Sequence, residues 1–193
     1  MAIDVHPVTP ERWGDLEALF ERVQGPRGGK PVTAACWCMA WRLPADAFKA
    51  GWGSGRTRGA GNKAAFRAIV DGGQVPGLLA YEDGTPVGWC SVAPREEFVA
   101  LESSRALVRI DDQPVWSVVC FYIDREFHRH GVGTALLEAA CDHARARGAT
   151  IVEGYPSKPG DRDPFTGFEA MFLSAGFEQV KAGGRRSIWR RHV

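Results

Sequence analysis

The sequence predicts a single domain of the α/β (α+β) class, in which helices flank a mixed β-sheet. Residues 77–92 are typical of a β-hairpin, which contributes antiparallel strands. Residues 115–155 have a strand–helix–strand pattern, which implies a parallel pair of strands joined by a right-handed crossover. With 193 residues, the chain is long enough to bury one sizeable core.

The first part of the chain is predicted to be mainly helix and loop. A short strand at 2–8 precedes a helix that begins near Pro10, since proline is favoured in the first turn of a helix. Two further helices are expected at 45–50 and 62–70. The glycine-rich segment between them, 51–61, is expected to be a loop.

The rest of the chain supplies most of the sheet. The hairpin turns at Asp83-Gly84, a dipeptide that favours a tight two-residue turn. The next strand is almost wholly apolar, as expected of a central strand that is covered on both faces. The elements predicted after the hairpin are a strand at 115–123, a helix at 131–147, a strand at 149–155, a helix at 165–175 and a closing hairpin at 177–191.

Composition and charge exclude several classes of protein. The chain is 45% hydrophobic and 24% charged, which is too apolar for a disordered protein and too charged for a membrane protein. Its formal net charge of +1 gives no electrostatic case for a nucleic-acid partner. There is no apolar stretch of membrane-spanning length and no visible export signal, so we expect a cytoplasmic protein with no membrane partner.

The cysteines do not indicate a disulfide framework or a metal site. Their number is odd, and the one close pair, Cys36 and Cys38, lacks the second pair of ligands that a zinc site needs. We therefore predict no metal and no disulfide at this pair. The five cysteines are Cys36, Cys38, Cys90, Cys120 and Cys141.

The most informative segment joins the apolar strand at 115–123 to the helix that follows it. Gly131 and Gly133 lie at the start of this helix, where unpaired backbone N–H groups and a partial positive charge favour anions. Glycine lets a phosphate approach the backbone without a side chain in the way, and Arg129 and His130 add donors. The segment therefore predicts a pyrophosphate-binding site.

Two common phosphate motifs do not fit the sequence. A Walker P-loop around Lys30 would need glycine at Gln24 and serine or threonine at Pro31. A dinucleotide-binding G-x-G-x-x-G motif would need glycine at Leu136.

The remaining spacing resembles that of the GNAT acetyltransferases, whose motif R/Q-x-x-G-x-G/A follows a strand. Residues 128–133 occupy this motif here, 86–89 resemble the family's hairpin strand, and 172–177 resemble its later Y-x-x-x-G-F segment. The resemblance covers roughly residues 76–182, which are expected to form the acyl-CoA-binding core. Residues 1–75 would then supply the acceptor-side helices and loops.

The resemblance implies an N-acetyltransferase that moves an acetyl group from acetyl-CoA to a primary amine by direct attack in a ternary complex. It also implies a mostly antiparallel sheet with a central parallel pair splayed around acyl-CoA, whose pantetheine arm pairs with β-strand backbone. The residues implied to bind acyl-CoA are Phe121, Tyr122, Ile123, His128, Arg129, His130, Gly131, Val132, Gly133 and Thr134.

Three positions depart from the family pattern. His128 replaces arginine or glutamine at the first motif position, Phe172 replaces the tyrosine that protonates the departing thiolate, and Ser117 replaces a glutamate. Tyr155 is a candidate for the missing acid and Ser117 for a proton relay through water, although both could equally be packed residues. Cys120 as an acyl-carrying nucleophile is a weaker alternative.

These departures keep a second function open, a catalytically weak or inactive acyl-CoA-binding or sensor module. On the acceptor side, Trp37, Trp41 and Arg42 are candidates to bind a small-molecule or peptide amine, the alternative being a small core under a loop. A homodimer is a reasonable expectation for a small enzyme.

Overall fold

The computed structural model describes residues 2–23, 29, 31–158, 164–184 and 186–193, which form helices around a seven-stranded sheet. The described strands are β1 (Ile3–Pro7), β2 (Gly77–Glu82), β3 (Thr85–Pro94), β4 (Trp116–Ile123), β5 (Ile151–Gly154), β6 (Glu178–Lys181) and β7 (Ile188–His192). The described helices are α1 (Trp13–Glu21), α2 (Thr33–Cys36), α3 (Ala45–Trp52), α4 (Ala60–Asp71), α5 (Val99–Glu102), α6 (Val132–Arg145) and α7 (Glu169–Ser174).

The sheet has the order β1-β2-β3-β4-β5-β7-β6. Only β4 and β5 pair in parallel among the described strands, and every other neighbouring pair is antiparallel. The predicted fold class is therefore confirmed. The closing hairpin places its second strand, β7, beside β5 and leaves β6 at the edge, an order that the sequence did not predict.

The turn between β2 and β3 confirms the predicted hairpin. Asp83 and Gly84 both have positive φ, 49° and 74°. A two-residue hairpin turn of type I′ requires this conformation at both positions, because its twist matches that of the flanking strands.

Helix α6 covers one face of the sheet. Its apolar residues, among them Val132, Leu136 and Ala140, are buried against the central strands. A Cβ atom on Gly88 of β3 would lie 2.6 Å from Val132 Cγ1, so the glycine lets the helix approach the sheet closely. Helices α1 and α4 contribute to an aromatic core on the opposite face.

The glycine-rich segment 51–61 is more ordered than predicted. Helix α3 extends to Trp52 and α4 begins at Ala60. A Cβ atom on Gly61 would lie 2.7 Å from Gly51 Cα, so these glycines allow the two helices to pack closely. No helix in the described part of the chain is both long and apolar enough to cross a membrane.

Candidate active site

The parallel pairing of β4 and β5 ends after three residues. Trp116 pairs with Val152 and Val118 pairs with Gly154, but β4 continues to Ile123 while β5 stops. Strand β3 pairs with the other side of β4 up to its end. The last residues of β4 therefore have an edge that no described strand covers, at the fork between the two parallel strands.

A cavity of about 620 Å³, the edge cavity, runs along this uncovered part of β4. It touches Phe121, Tyr122 and Ile123. Successive side chains of a strand point to opposite faces, so a cavity that contacts all three must follow the edge of the strand itself. Its other lining residues are Pro31, Val32, Arg125, His128, Arg129, Phe165 and Phe168.

The N-terminus of α6 lies immediately after this lining in the chain. Gly131 precedes the helix with a φ of 81°, and a Cβ atom there would meet no atom within 4 Å. The first N–H groups of a helix, here at 132–134, have no partner within the helix and carry a partial positive charge. With Arg129 lining the edge cavity, this helix end is suited to bind an anion.

Three of the predicted cofactor residues have side chains, or in the case of glycine a Cβ position, that face other parts of the protein. A Cβ atom on Gly133 would lie 3.0 Å from Met171 Sδ, so this glycine serves the packing of α6 against α7. Val132 is buried in the core, and His130 Nδ1 lies 3.7 Å from Glu82 Oε1. Unlike Arg129, these residues can contact a ligand at the helix end chiefly through their backbone atoms.

His128, the unusual first residue of the motif, is attached to the end of β4. Its Nε2 lies 3.1 Å from the carbonyl oxygen of Ile123. At the same end of β4, Arg22 Nη1 donates to Asp124 Oδ2 at 2.5 Å. This hydrogen bond connects the end of α1 to the end of β4. The imidazole therefore lines the edge cavity in a defined position.

A second cavity of about 360 Å³, the apolar cavity, adjoins the first and shares Val32 and Phe165 with it. Its walls include the rings of Trp41, Phe48 and Trp52. The remaining described lining residues are Thr33, Cys36, Cys38, Ala40, Ala100, Cys120, Thr166 and Arg186.

Arg186 is the one charged residue in the described lining of the apolar cavity. Its guanidinium carbon lies 5.3 Å from the centre of the Trp41 ring. The sequence prediction missed Arg186 and Phe165, because both reach the cavity from the C-terminal part of the chain and neither belongs to a local motif.

Two of the three predicted acceptor residues lie outside the lining of the apolar cavity. Trp37 is buried in the core and stacks on Trp13 with ring centres 5.5 Å apart. Arg42 is also buried, and it donates to Glu97 Oε2 at 2.7 Å and to the carbonyl oxygen of Pro76 at 3.0 Å. Neither side chain lines the apolar cavity, in contrast to Trp41.

Three thiols, those of Cys36, Cys38 and Cys120, lie in the wall of the apolar cavity. Trp89 Nε1 donates to Cys38 Sγ at 3.0 Å. A hydrogen bond from the Cys120 thiol, together with that from Trp89 and the charge of Arg42, lowers the pKa of Cys38 despite its burial. Burial raises the pKa of Cys36 to about 12, so the two close thiols differ sharply.

Tyr155 and Ser117 belong to a buried ionic cluster. The Tyr155 hydroxyl donates to Glu153 Oε1 at 2.5 Å, accepts from Arg95 Nη1 at 2.8 Å and lies 2.9 Å from Ser117 Oγ. Burial and the charge of Glu153 raise the pKa of Tyr155 well above 10. Neither residue is among those that line the two cavities, so their position does not favour the predicted catalytic roles.

Phe172, at the position of the usual tyrosine, is a core residue. Its ring contacts Phe121 edge to face, with ring centres 6.3 Å apart, and fills the space beside Gly154. The tyrosine that does line the edge cavity is Tyr122. Burial and the charge of Asp124 raise its pKa to about 12, so its phenol is neutral near pH 7.

The five cysteines are all free. The part of the chain that the structure describes contains no group of three His, Cys, Asp or Glu residues arranged to hold a metal ion. That Cys36 and Cys38 bind no metal stays a prediction.

The model of the acetyltransferase (GNAT) family matches residues 39–157. The chain belongs to the GNAT family. It is therefore an acyltransferase, and the resemblance of its motif to this family is confirmed. No curated protein matches the sequence.

Solved GNAT structures share the fold over the whole chain. PaiA N-acetyltransferase from Thermoplasma acidophilum, in complex with coenzyme A, is 14% identical with a TM-score of 0.55 and full coverage of both chains. A mosquito arylalkylamine N-acetyltransferase (like 5b) is 11% identical with a TM-score of 0.60, again over both full chains. AAC(6')-Iy, bound to the bisubstrate analogue CoA-S-monomethyl-acetylneamine, is 14% identical with a TM-score of 0.55 and covers 94% of this chain and 95% of its own.

Proposed function

We propose that this GNAT protein is an N-acetyltransferase that transfers an acetyl group from acetyl-CoA to a primary amine by direct attack in a ternary complex. The observation that carries the proposal is the pair of adjoining cavities at the fork of β4 and β5. The larger cavity lies along a free strand edge, close in the chain to a helix N-terminus, and the smaller one has a mainly apolar lining. This arrangement suits a long donor and a small acceptor that meet at one point.

The edge cavity would hold acetyl-CoA. The uncovered backbone around Phe121 and Ile123 can pair with the pantetheine arm as an added strand does. The pyrophosphate would bind the N–H groups at the start of α6, where the missing side chain of Gly131 leaves room. Arg125 and Arg129 line the same cavity and add positive charge for the phosphates.

The chemistry then needs three contributions from the protein. It must hold the amine against the thioester carbon, polarise the thioester carbonyl with a strand N–H, and accept the proton that the amine loses. The amine nitrogen attacks the carbonyl carbon, the carbon–sulfur bond breaks, and CoA leaves as a thiol or thiolate. The neutral phenol of Tyr122 lines the donor cavity as a hydrogen-bond donor.

The apolar cavity would hold the acceptor. Its walls carry the aromatic rings of Trp41, Phe48 and Trp52 and, within the described residues, no carboxylate. A polyamine, whose several charges would need acidic partners, therefore fits less well than an apolar or aromatic amine. Arg186 at this wall favours an acceptor that also bears a carboxylate, as an apolar amino acid does.

The whole chain is inferred to act as one catalytic domain. The acceptor-side region 1–75 contributes Trp41 to the apolar cavity, and the later part of the chain contributes Cys120 and Arg186. Because both regions line one cavity, neither would form the acceptor site alone. The homodimer stays a prediction, which light scattering of the purified protein can test.

The direct test is an acceptor screen with purified protein and acetyl-CoA. The panel should contain aromatic amines, apolar amino acids, a polyamine, an aminoglycoside and a peptide, with release of CoA measured by a thiol reagent and the acetylated product by mass spectrometry. Turnover of the apolar amines supports the proposal. Binding of acetyl-CoA without turnover of any amine would favour the alternative of a binding or sensor module.

Arg186→Gln should raise KM for a carboxylate-bearing acceptor by about 10- to 100-fold, because a charged hydrogen bond contributes about 1.5–3 kcal/mol. KM for the matching amine without a carboxylate should change little. Arg145→Gln is the matched control, since Arg145 is exposed on α6 and pairs with Asp142 on its own helix. Equal effects of Arg186→Gln on both acceptors would contradict a carboxylate contact.

A further inference from the structure

The described lining of the apolar cavity lacks the usual groups that accept a proton. A primary amine is mostly protonated near pH 7, so its ammonium must lose a proton before the nitrogen can attack. The described lining contains no Asp, Glu or His, and its ionisable groups are Arg186 and three cysteines. A guanidinium cannot act as a base in this range because it stays protonated. The thiols are therefore the candidates.

Geometry distinguishes Cys38 from the other two thiols. Its sulfur accepts a hydrogen bond from Trp89 Nε1 at 3.0 Å, and the neighbouring Cys120 side chain also lowers its pKa. A donor that points at the sulfur stabilises its thiolate form. Cys36 differs in that burial is the main influence on it, and burial favours the neutral thiol.

The backbone at Cys38 is also unusual. Trp37 and Cys38 both have positive φ, 47° and 51°, a conformation that is uncommon for residues other than glycine. Such conformations persist where the surrounding packing fixes them, and they occur often at functional sites. Trp37 is buried against Trp13 on one side of this backbone, and Cys38 next to it contacts Trp89 and belongs to the lining of the apolar cavity.

We propose that Cys38 is the general base that accepts the proton of the acceptor amine. This inference rests on the proposed acetyl transfer. The Cys38 thiolate takes one proton from the ammonium, and the freed nitrogen attacks the thioester carbon. The carbon–sulfur bond breaks, the second nitrogen proton leaves with the CoA thiolate as CoA thiol, and Cys38 returns its proton to solvent.

A first experiment measures the thiol itself and does not depend on turnover. Wild-type protein is treated with iodoacetamide across a pH series, and alkylation at each cysteine is followed by peptide mass spectrometry. We expect Cys38 to react with an apparent pKa below the ordinary thiol value of about 8.5. Cys141, whose pKa burial raises to about 12, serves as the internal reference. An apparent pKa of Cys38 at or above the ordinary value would overturn the proposal.

A second experiment measures catalysis by Cys38→Ser. Loss of a general base should lower kcat by about 100- to 10,000-fold. In the wild type, protonation of Cys38 should make kcat/KM fall towards acidic pH, and this fall should be absent in Cys38→Ser. Cys141→Ser, buried in the core away from both cavities, is the matched control and should keep wild-type activity. Circular dichroism of both variants verifies folding.

The possible outcomes separate the two proposals. Wild-type turnover that persists in Cys38→Ser overturns the role of Cys38 and leaves acetyl transfer in place. Wild-type protein that turns over no amine overturns the proposed function, whatever its alkylation profile. An acetyl group trapped on Cys38 in the absence of amine would make the residue a nucleophile and would also overturn its assignment as a base.

Discussion

Glu153→Ala should destabilise the protein by about 3–5 kcal/mol, enough to unfold much of a marginally stable domain. The Glu153 carboxylate is buried, with Oε1 2.5 Å from Arg95 Nη1 and Oε2 2.8 Å from Arg190 Nε. Among the described residues, its removal takes one of two carboxylate partners from each of these guanidinium groups, since Arg95 keeps only Glu102 and Arg190 keeps only Asp111. It also leaves the buried Tyr155 hydroxyl without its acceptor. Urea denaturation followed by circular dichroism measures the free energy of unfolding.

Glu138→Ala is the matched control for this prediction. Glu138 also pairs with an arginine, Arg191, at 2.7 Å, but its side chain is 44% exposed. An exposed ion pair contributes about 0–1 kcal/mol, so this variant should unfold almost like wild type. Similar midpoints for Glu138→Ala and Glu153→Ala would show that the buried cluster is not a major source of stability.

Tyr155→Phe tests the two roles considered for this tyrosine. The variant removes the hydroxyl that donates to Glu153, so we expect a loss of about 1–2 kcal/mol of stability and little change in kcat. The earlier hypothesis of a general acid predicts the reverse, a fall of kcat by about 10- to 1,000-fold in a stable protein. Parallel unfolding and steady-state measurements on one preparation decide between them.

Gly131→Val should weaken acetyl-CoA binding by about 100-fold or more. The valine side chain would occupy the open space in front of the first N–H groups of α6, where the pyrophosphate is proposed to bind. Each charge-assisted hydrogen bond that is lost costs about 1.5–3 kcal/mol, and at least two would be affected. Titration calorimetry with acetyl-CoA measures the change.

Gly148→Val separates this effect from backbone strain. Gly148 follows the other end of α6 with a φ of 84°, and a Cβ atom there also meets nothing within 4 Å. Both valines should therefore lower stability to a similar degree, while only Gly131→Val loses affinity. Wild-type affinity in a folded Gly131→Val protein would refute the pyrophosphate site.

The sequence predicted the features of this protein that depend on neighbouring residues. Asp83-Gly84 specifies its own turn because only a few residues adopt positive φ at low cost. The apolar strand that became β4 and the glycine at 131 before α6 were predicted from local patterns, and with the hairpin strand at 86–89 and the segment 172–177 they indicated the family.

The tertiary structure decided which polar and aromatic side chains reach the cavities. Trp37 and Trp41 are equally apolar in sequence, but the backbone between them follows no helical or strand period, so no pattern distinguished the buried ring from the half-buried one that lines the cavity. Tyr155 was predicted as a candidate catalytic acid from its place at a strand end. Its hydroxyl, however, accepts a hydrogen bond from Arg95, which lies 60 residues earlier in the chain. Such contacts depend on how distant segments pack, and for that reason the acceptor cavity and Cys38 became visible only in the folded protein.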